Sequence, residues 1–345
     1  MSNSYYILFI ENMIKEDKCN LNNANIKLPL VSILLAIYKP KEKWLVEQLI
    51  SLNEQNYGNL NLYVYDDCPE HPANIELFDK YITNFEYKII RGEVNKGSNK
   101  AFEELTKIAD GDFFAYCDQD DIWETNKISL MMDEFTEDIT LVCCDLSIID
   151  EHSNKTHESL CDIRKRIVYK SGYGLAKDLL MTNFVTGCAM IVKKNIAIKA
   201  VPFIDELVHD QWISIVAATE GKIISLDKPL VRYRQHSCNQ TGILKDVYGK
   251  KSYYIKRIDE FIIRFNSLRE RLYLEDDNLK MYIDNCLLWL KARKRYSQTI
   301  SLSDLKIMME YRNFHKVSIL IESLLPFIPD FIFKYIIKLT KKGLL

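Results

Sequence analysis

The sequence predicts an α/β fold whose mostly parallel sheet is flanked by helices, and three observations carry that expectation. Val31 to Ile37 is a nearly unbroken apolar run rich in branched residues, which reads as a strand buried on both faces. Strand-like and helix-like segments then alternate as far as Tyr116, the pattern of right-handed βαβ units. Finally, the apolar stretch Phe113-Phe114-Ala115-Tyr116 stops at Cys117-Asp118-Gln119-Asp120-Asp121-Ile122-Trp123. An apolar run ended by acids reads as a buried strand that terminates at an open sheet edge, where α/β sheets place their ligands.

The elements follow in order. Lys39-Pro40 closes the first strand, and Trp44, Leu45, Leu49 and Leu52 fall at helical spacing within Lys41 to Asn56. Leu60 to Tyr65 is a second strand, closed by Asp66-Asp67-Cys68-Pro69, which is good turn chemistry. Ile75 to Tyr81 reads as a helix, Tyr87 to Ile90 as a strand, Asn95-Lys96-Gly97 as a turn and Ser98 to Ala109 as a helix. After the acidic motif, strands are expected at Thr140 to Ile149, Thr186 to Val192, Lys222 to Leu226 and Val231 to Arg234. A helix is expected to start near His209-Asp210-Gln211-Trp212. From about Lys250 helical spacing dominates. The expected division is an N-terminal extension (1–28), an α/β domain (29–245) and a helical C-terminal region (246–345), with the boundary near Gly242 to Gly249.

Composition narrows the class. A formal net charge of −2 over 345 residues gives no sign of nucleic-acid binding. Nine cysteines form no metal-type CxxC pair, and the polar N-terminus has only a short apolar patch, Tyr5 to Ile10, without the basic start of a secretory signal. A reducing, cytoplasmic setting is expected.

The acidic motif has two readings. Three carboxylates within four residues repel one another unless a cation neutralises them. Hard oxygen ligands suit Mg²⁺ or Mn²⁺, which commonly share their coordination with substrate phosphates. Alternatively, the acids cap a helix N-terminus.

Four sites fall at strand ends or in the loops beyond them: Asp66-Asp67, Asp118-Gln119-Asp120-Asp121, His209-Asp210 and Tyr233-Arg234-Gln235-His236. Their order and context resemble the family 2 inverting glycosyltransferases with the GT-A fold. Val64-Tyr65-Asp66-Asp67-Cys68 is similar to that family's second-strand signature, Asn95-Lys96-Gly97 to its Asn-x-Gly turn, and Asp118-Gln119-Asp120 to its DxD element. Tyr38-Lys39 stands where a Tyr-Asn pair is common. The long composite around Asp118, together with Tyr233-Arg234-Gln235-His236, resembles the subgroup that builds bacterial O-antigen and capsule chains with rhamnose, galactose or glucose. The resemblance covers about Pro29 to Gly242.

The resemblance implies a Rossmann-like GT-A sheet and a metal-dependent transfer from a UDP- or dTDP-sugar to a lipid-diphosphate-linked glycan. Asp120 would ligate the metal (Mn²⁺ or Mg²⁺), with His236 as a further metal or diphosphate ligand beside Arg232 and Arg234. Asp118 would contact the ribose or a metal-bound water, and Asp121 would support it or cap a helix. Ala36, Tyr38, Asp66 and Asp67 would line the nucleotide, with the choice between the two aspartates left open. Lys96 or Arg91 would approach the donor or remain solvated. Asp210 would be the general base, with His209 either tuning it or packing. Trp123 and Trp212 are expected in helix packing.

In the C-terminal region, Phe331-Ile332-Phe333-Lys334-Tyr335-Ile336-Ile337-Lys338-Leu339 and the basic pair Lys341-Lys342 form an amphipathic pattern. Such a helix lies on an anionic membrane surface or packs on the catalytic domain or on a partner subunit. Two alternatives to the transferase remain at this level. One is a sugar-phosphate nucleotidyltransferase, disfavoured by the absence of a glycine-rich loop after the first strand. The other is an inactive nucleotide-sugar-binding relative.

Overall fold

The structure is a computed structural model that describes residues 28–165, 167–236, 246–272, 277–314 and 316–341. The Tyr5 to Ile10 patch, Lys342 and part of the expected boundary segment lie outside the described residues. Strands β1 (Val31–Ile37), β2 (Leu60–Asp66), β3 (Glu86–Arg91) and β4 (Phe113–Cys117) lie in the order β3-β2-β1-β4, all parallel. They are linked by α1 (Glu42–Asn53), α2 (Ile75–Tyr81) and α3 (Ser98–Ile108). The chain leaves β1 on one side for β2 and β3, then returns to its other side for β4. At such a reversal the connections diverge and a crevice opens beyond the carboxyl ends of the strands. Asp66 and the Asp118–Asp121 run both lie at that edge.

Past β4 the sheet becomes mixed. β6 (Ile139–Ile149) is separated from β4 by β8 (Met190–Lys193), which is antiparallel to both. β6 thus runs in the same sense as β4 one strand further out, and β8 fills the gap from the opposite direction. β9 (Lys222–Arg234) is parallel to β6, while β5 (Ile122–Trp123) and β7 (Lys155–His157) add short antiparallel pairings. The parallel sheet expected from the alternating pattern is therefore the half that carries the acidic edge.

Both faces of the sheet are covered. Leu34, Tyr65, Phe114 and Tyr116 point to one core with Phe102 and Leu105 of α3 and Ile213 and Val216 of α8 (His209–Glu220). Alternate residues Ile33, Leu35, Val64 and Ala115 point to a second core with Leu45 and Leu49 of α1. This period-two division is what an apolar strand buried on both sides requires.

Two local expectations change. The segments Lys222 to Leu226 and Val231 to Arg234 are one strand, with register shifts against Asp145 where Pro229 offers no N–H to the ladder. The run Thr186 to Val192 is a strand only from Met190; Gly187–Ala189 form a 3₁₀ turn. The backbone groups a ladder would use are taken elsewhere: the Gly187 N–H is bonded to Asp210 and the Cys188 carbonyl to Lys127.

The C-terminal helices include α10 (Glu260–Arg271), α11 (Asp277–Thr299), α13 (Lys316–Leu324) and α14 (Asp330–Lys341), preceded by the short helix α9 (Lys250–Tyr254) and with α12 (Leu302–Glu310) between. Phe265, Leu268, Ile283 and Leu287 join the core formed by α3 and α8. Arg264 and Arg271 donate to the carbonyls of Glu206 (3.1 Å) and Pro202 (2.8 Å), tying α10 to the loop that enters α8. Arg293 and Glu322 form a buried bidentate pair, and the Tyr253 hydroxyl donates to the same carboxylate (2.8 Å). Among the described residues no helix is long and apolar enough to cross a membrane.

Candidate active site

The site begins with two buried aspartates at the end of β2. Asp66 accepts from the backbone N–H groups of Cys68 (3.2 Å) and Ala73 (2.8 Å). Asp67 accepts from those of Lys96 (2.8 Å) and Gly97 (2.7 Å). Gly97 has φ +80°, a left-handed conformation that glycine adopts without cost. The two carboxylates thus fix the loops after β2 and before α3. Between these loops and Tyr38, at the end of β1, is a cavity of about 490 Å³ lined also by Lys39, Cys68, Glu70, Val94 and Asn95. Ala36 lies in β1 opposite Tyr65. The Lys96 ammonium turns away to Glu104 (3.7 Å) on α3, and Arg91 donates to the Ala73 carbonyl (3.4 Å).

The acidic motif is tied to Tyr38 at the edge of this cavity. Gln119 pairs with the Tyr38 backbone in both directions, accepting its N–H (2.7 Å) and donating to its carbonyl (3.1 Å). This joins the ends of β1 and β4. Asp120 Oδ2 lies 2.6 Å from His236 Nε2, and the His236 ring packs on Trp44 of α1 at 4.8 Å. Asp121 is fully buried; one oxygen accepts the Arg234 N–H (2.9 Å) and the other makes no hydrogen bond. A carboxylate oxygen from each of Asp118 and Asp121 and the Cys188 thiol lie within 4.8 Å of one another.

Crowding and burial set the electrostatics. Burial, reinforced by the charges of Asp120 and Asp210, pushes the Asp118 carboxyl up to about 7. Burial and the same kind of repulsion push Asp121 well up too. A divalent cation fits here: it would relieve this repulsion and find hard oxygen donors, an unbonded buried carboxylate oxygen and an imidazole nitrogen. Among the described residues Asp118, Asp121 and Cys188 bring one ligand atom each within reach of a single ion, and Asp120 and His236 form a pair in the same acidic loop region.

Arg232 and Arg234 are both engaged by groups of the protein itself. Arg232 forms a bidentate pair with Glu124 (2.7 and 3.0 Å). Arg234 is fully buried and donates to the Asp120 carbonyl (2.7 Å), the Asp150 carbonyl (3.1 Å), Ser153 Oγ (2.9 Å) and Glu47 Oε2 (2.6 Å). It binds the acidic loop, the loop after β6 and α1 into one piece, while the His236 ring reaches Asp120.

Asp210 sits in the first turn of α8, opposite the acidic motif. It accepts from Asn183 Nδ2 (3.0 Å), the Gly187 N–H (3.0 Å) and the Gln211 N–H (2.6 Å). Burial pushes its carboxyl up to about 6 against those three donors, and the Gly187 N–H that it accepts precedes Cys188, which clusters with Asp118 and Asp121. His209 packs rather than tunes. Its ring lies 4.0 Å from Phe102 and 5.3 Å from Tyr116, its Nε2 makes no hydrogen bond, and burial lowers it to about 3, which keeps it neutral. A Cβ on Gly187 would come within 2.5 Å of that nitrogen, so only glycine fits there. Trp212 is core, donating to the Ala200 carbonyl (2.7 Å), and Trp123 is buried as well.

Asn183, Glu47 and Lys127 belong to this site or its support and carry no motif. Helical spacing places Glu47 on the outer side of α1, and Asn183 lies in the unpatterned stretch Thr182-Asn183-Phe184. Lys127 offers one signal, since it opens the helix directly after the acidic motif.

Comparison with known proteins agrees with this architecture. Residues 32–197 match the model for glycosyl transferase family 2. A dTDP-rhamnosyl transferase of Shigella flexneri, RfbG, is 26% identical over 281 residues, covering 74% of this chain and 93% of its own length. A UDP-Glc:α-D-GlcNAc-diphosphoundecaprenol β-1,3-glucosyltransferase of Escherichia coli, WfgD, is 25% identical over 208 residues, covering 59% of this chain and 77% of its own. Among solved structures, S. aureus TarS in complex with UDP-GlcNAc superposes with a TM-score of 0.55 at 13% identity, covering 91% of this chain and 92% of the other, a likeness of fold. The class of enzyme is thereby glycosyl rather than nucleotidyl transfer: this chain is a glycosyltransferase with a GT-A fold, and its residues 32–197 form a glycosyl transferase family 2 domain.

Proposed function

We propose that the chain is a metal-dependent inverting glycosyltransferase that moves a sugar from a UDP- or dTDP-sugar to a lipid-diphosphate-linked glycan during surface polysaccharide synthesis. The observation that carries this reading is a run of contacts: Asp210 accepts the Gly187 N–H, the adjacent Cys188 clusters with Asp118 and Asp121, and Gln119 of the same motif pairs with Tyr38 at the cavity. The nucleoside occupies that cavity, between Tyr38 and the loops fixed by Asp66 and Asp67. Asp120 and His236 hold a divalent cation, Mn²⁺ or Mg²⁺, which neutralises the diphosphate as it leaves. Asp210 faces the donor sugar from the other side. Held by Asn183 and Gly187, it takes the proton of the acceptor hydroxyl as that oxygen attacks the anomeric carbon. One base on the face opposite the leaving group requires no covalent intermediate, so the anomeric configuration inverts. Proton NMR of the first product formed tests this. The account requires the opposite anomer to that of the donor, and retention would remove Asp210 from the role of base.

The organism sources and names of the relatives support the acceptor class, and the C-terminal helices suit it. On α14, Phe331 (72% exposed), Tyr335 (62% exposed) and Lys338 share a face by their spacing, with Lys334 and Lys341 beside them. Leu320, Leu324 and Phe327 are exposed just upstream. Apolar and aromatic groups beside a row of lysines match an anionic lipid surface. Phe333 and Ile337 on the opposite side pack on Val247, Tyr253 and Leu325, so deleting the helix would unroof a small core. Surface substitutions are the cleaner test. Phe331→Ser with Tyr335→Ser should abolish sedimentation with anionic vesicles while leaving the unfolding temperature unchanged; undiminished vesicle binding would refute the membrane role.

A further inference from the structure

The acidic strand end has a resident positive charge that the reading above does not use. Lys127, the first residue of α4 (Lys127–Met132), is fully buried. Its ammonium donates to the Cys188 carbonyl (2.9 Å) and lies 3.0 Å from the centroid of the Trp123 ring. Cys188 forms that cluster together with Asp118 and Asp121, so the ammonium is joined to it through the Cys188 backbone, and its charge acts on both Asp118 and Asp121. A buried ammonium is costly unless opposite charge compensates it, and one carbonyl and one ring face offer little. The reverse holds for the carboxylates, which repel one another without a cation. The two unfavourable burials offset each other.

We propose that Lys127 is a positioning residue, a built-in counter-cation that holds the Asp118–Asp121 loop in its metal-binding geometry while no divalent ion is bound. This rests on the metal reading of the same site. It differs from a purely structural role, in which the ammonium only ties α4 to the turn at Gly187–Ala189 through the Cys188 carbonyl. A structural tie is indifferent to metal, whereas a counter-cation is partly replaceable by one.

The test compares full-length wild type, Lys127→Met and Lys127→Arg by thermal unfolding, in EDTA and in excess Mn²⁺. Lys127→Met removes the charge at nearly constant length. It should melt well below wild type in EDTA, and Mn²⁺ should raise its midpoint more than that of wild type, so that at least about half of the deficit disappears. Lys127→Arg should behave closer to wild type in EDTA. Mn²⁺ titration followed by electron paramagnetic resonance should show Lys127→Met binding the ion about tenfold more tightly, because one repelling charge is gone. If Lys127→Met is insoluble in chelator, refolding it with Mn²⁺ should recover it, and equal failure with and without the ion overturns the proposal. A deficit that Mn²⁺ leaves unchanged, with wild type itself stabilised by Mn²⁺, overturns the role of Lys127 alone. Absence of any Mn²⁺ effect on wild type overturns the metal reading together with it.

Discussion

A carboxylate proposed to accept a proton during the reaction needs an affinity for it, and burial raises that affinity at Asp210. Its pKa rises from the ordinary 3.8 to about 6. Two consequences follow at the residue scale. In the proposed role of base Asp210 works only when ionised, so kcat/KM should fall as pH drops through about 6. The same shift favours the folded state only while the group is protonated, so that contribution fades as pH rises through 6; the site is ready at the expense of some stability. Asn183→Ala removes a donor to the charged form and should move the acid limb upward by about one pH unit, the worth of one hydrogen bond to a carboxylate. A pH–rate profile that does not move would mean Asn183 only orders its loop. Asp210→Asn should cost about 10²- to 10⁴-fold in kcat with donor affinity retained. The residues of this scale differ in how legible they were. Asp210, Asp120 and His236 stand in recognisable strings. Asn183 is 27 residues from the carboxylate it serves, in a stretch with no pattern, and only the fold brings it there.

At the scale of elements, one arginine holds three of them in register. Arg234 ends β9 and reaches Glu47 on α1, the loop after β6 and the backbone of the acidic motif. Arg234→Met removes a fully buried guanidinium, takes the donor from the Asp120 carbonyl and leaves Ser153 as the hydrogen-bond donor to Glu47 and the Asp150 carbonyl, and should destabilise the fold by about 3–5 kcal/mol in denaturant titration. The half-exposed Arg232–Glu124 pair is a solvent-screened surface interaction, and Arg232→Gln should cost less than about 1 kcal/mol. The sequence showed two adjacent basic residues beside His236 and suggested that both face a diphosphate; burial, which a string of letters does not display, separates their fates. The elements themselves were more transparent. The apolar runs of β1, β2 and β4 have few alternatives, and the boundaries expected for them fall within a residue or two of those observed. The turn at Gly187–Ala189 was hidden because its backbone partners, Asp210 and Lys127, are distant in sequence.

On the scale of the whole molecule, the N-terminal alternation predicted the parallel half of the sheet and the crevice at its reversal, while the antiparallel insertion of β8 has no local signature. The division into an α/β part (29–245) and a helical part (246–345) is a proposal in which the helices are a layer of one body rather than a separable unit, since Phe265 and Ile283 share a core with α3 and α8. Through Arg264 and Arg271 that layer also touches the loop leading to Asp210. A surface of α14 bound to lipid would then hold the catalytic crevice close to a membrane-embedded acceptor.

The central claim is that one crevice combines a metal-held diphosphate with a single carboxylate base. The measurement that tests it most directly is sugar transfer from a panel of UDP-, GDP- and dTDP-sugars to a lipid-diphosphate sugar, with Mn²⁺, with Mg²⁺ and with EDTA, for wild type, Asp120→Ala and Asp210→Asn. The account predicts turnover of one donor that requires the metal and is lost in both variants, with Asp210→Asn still binding that donor. Turnover that persists in EDTA, or that survives Asp210→Asn, would contradict it.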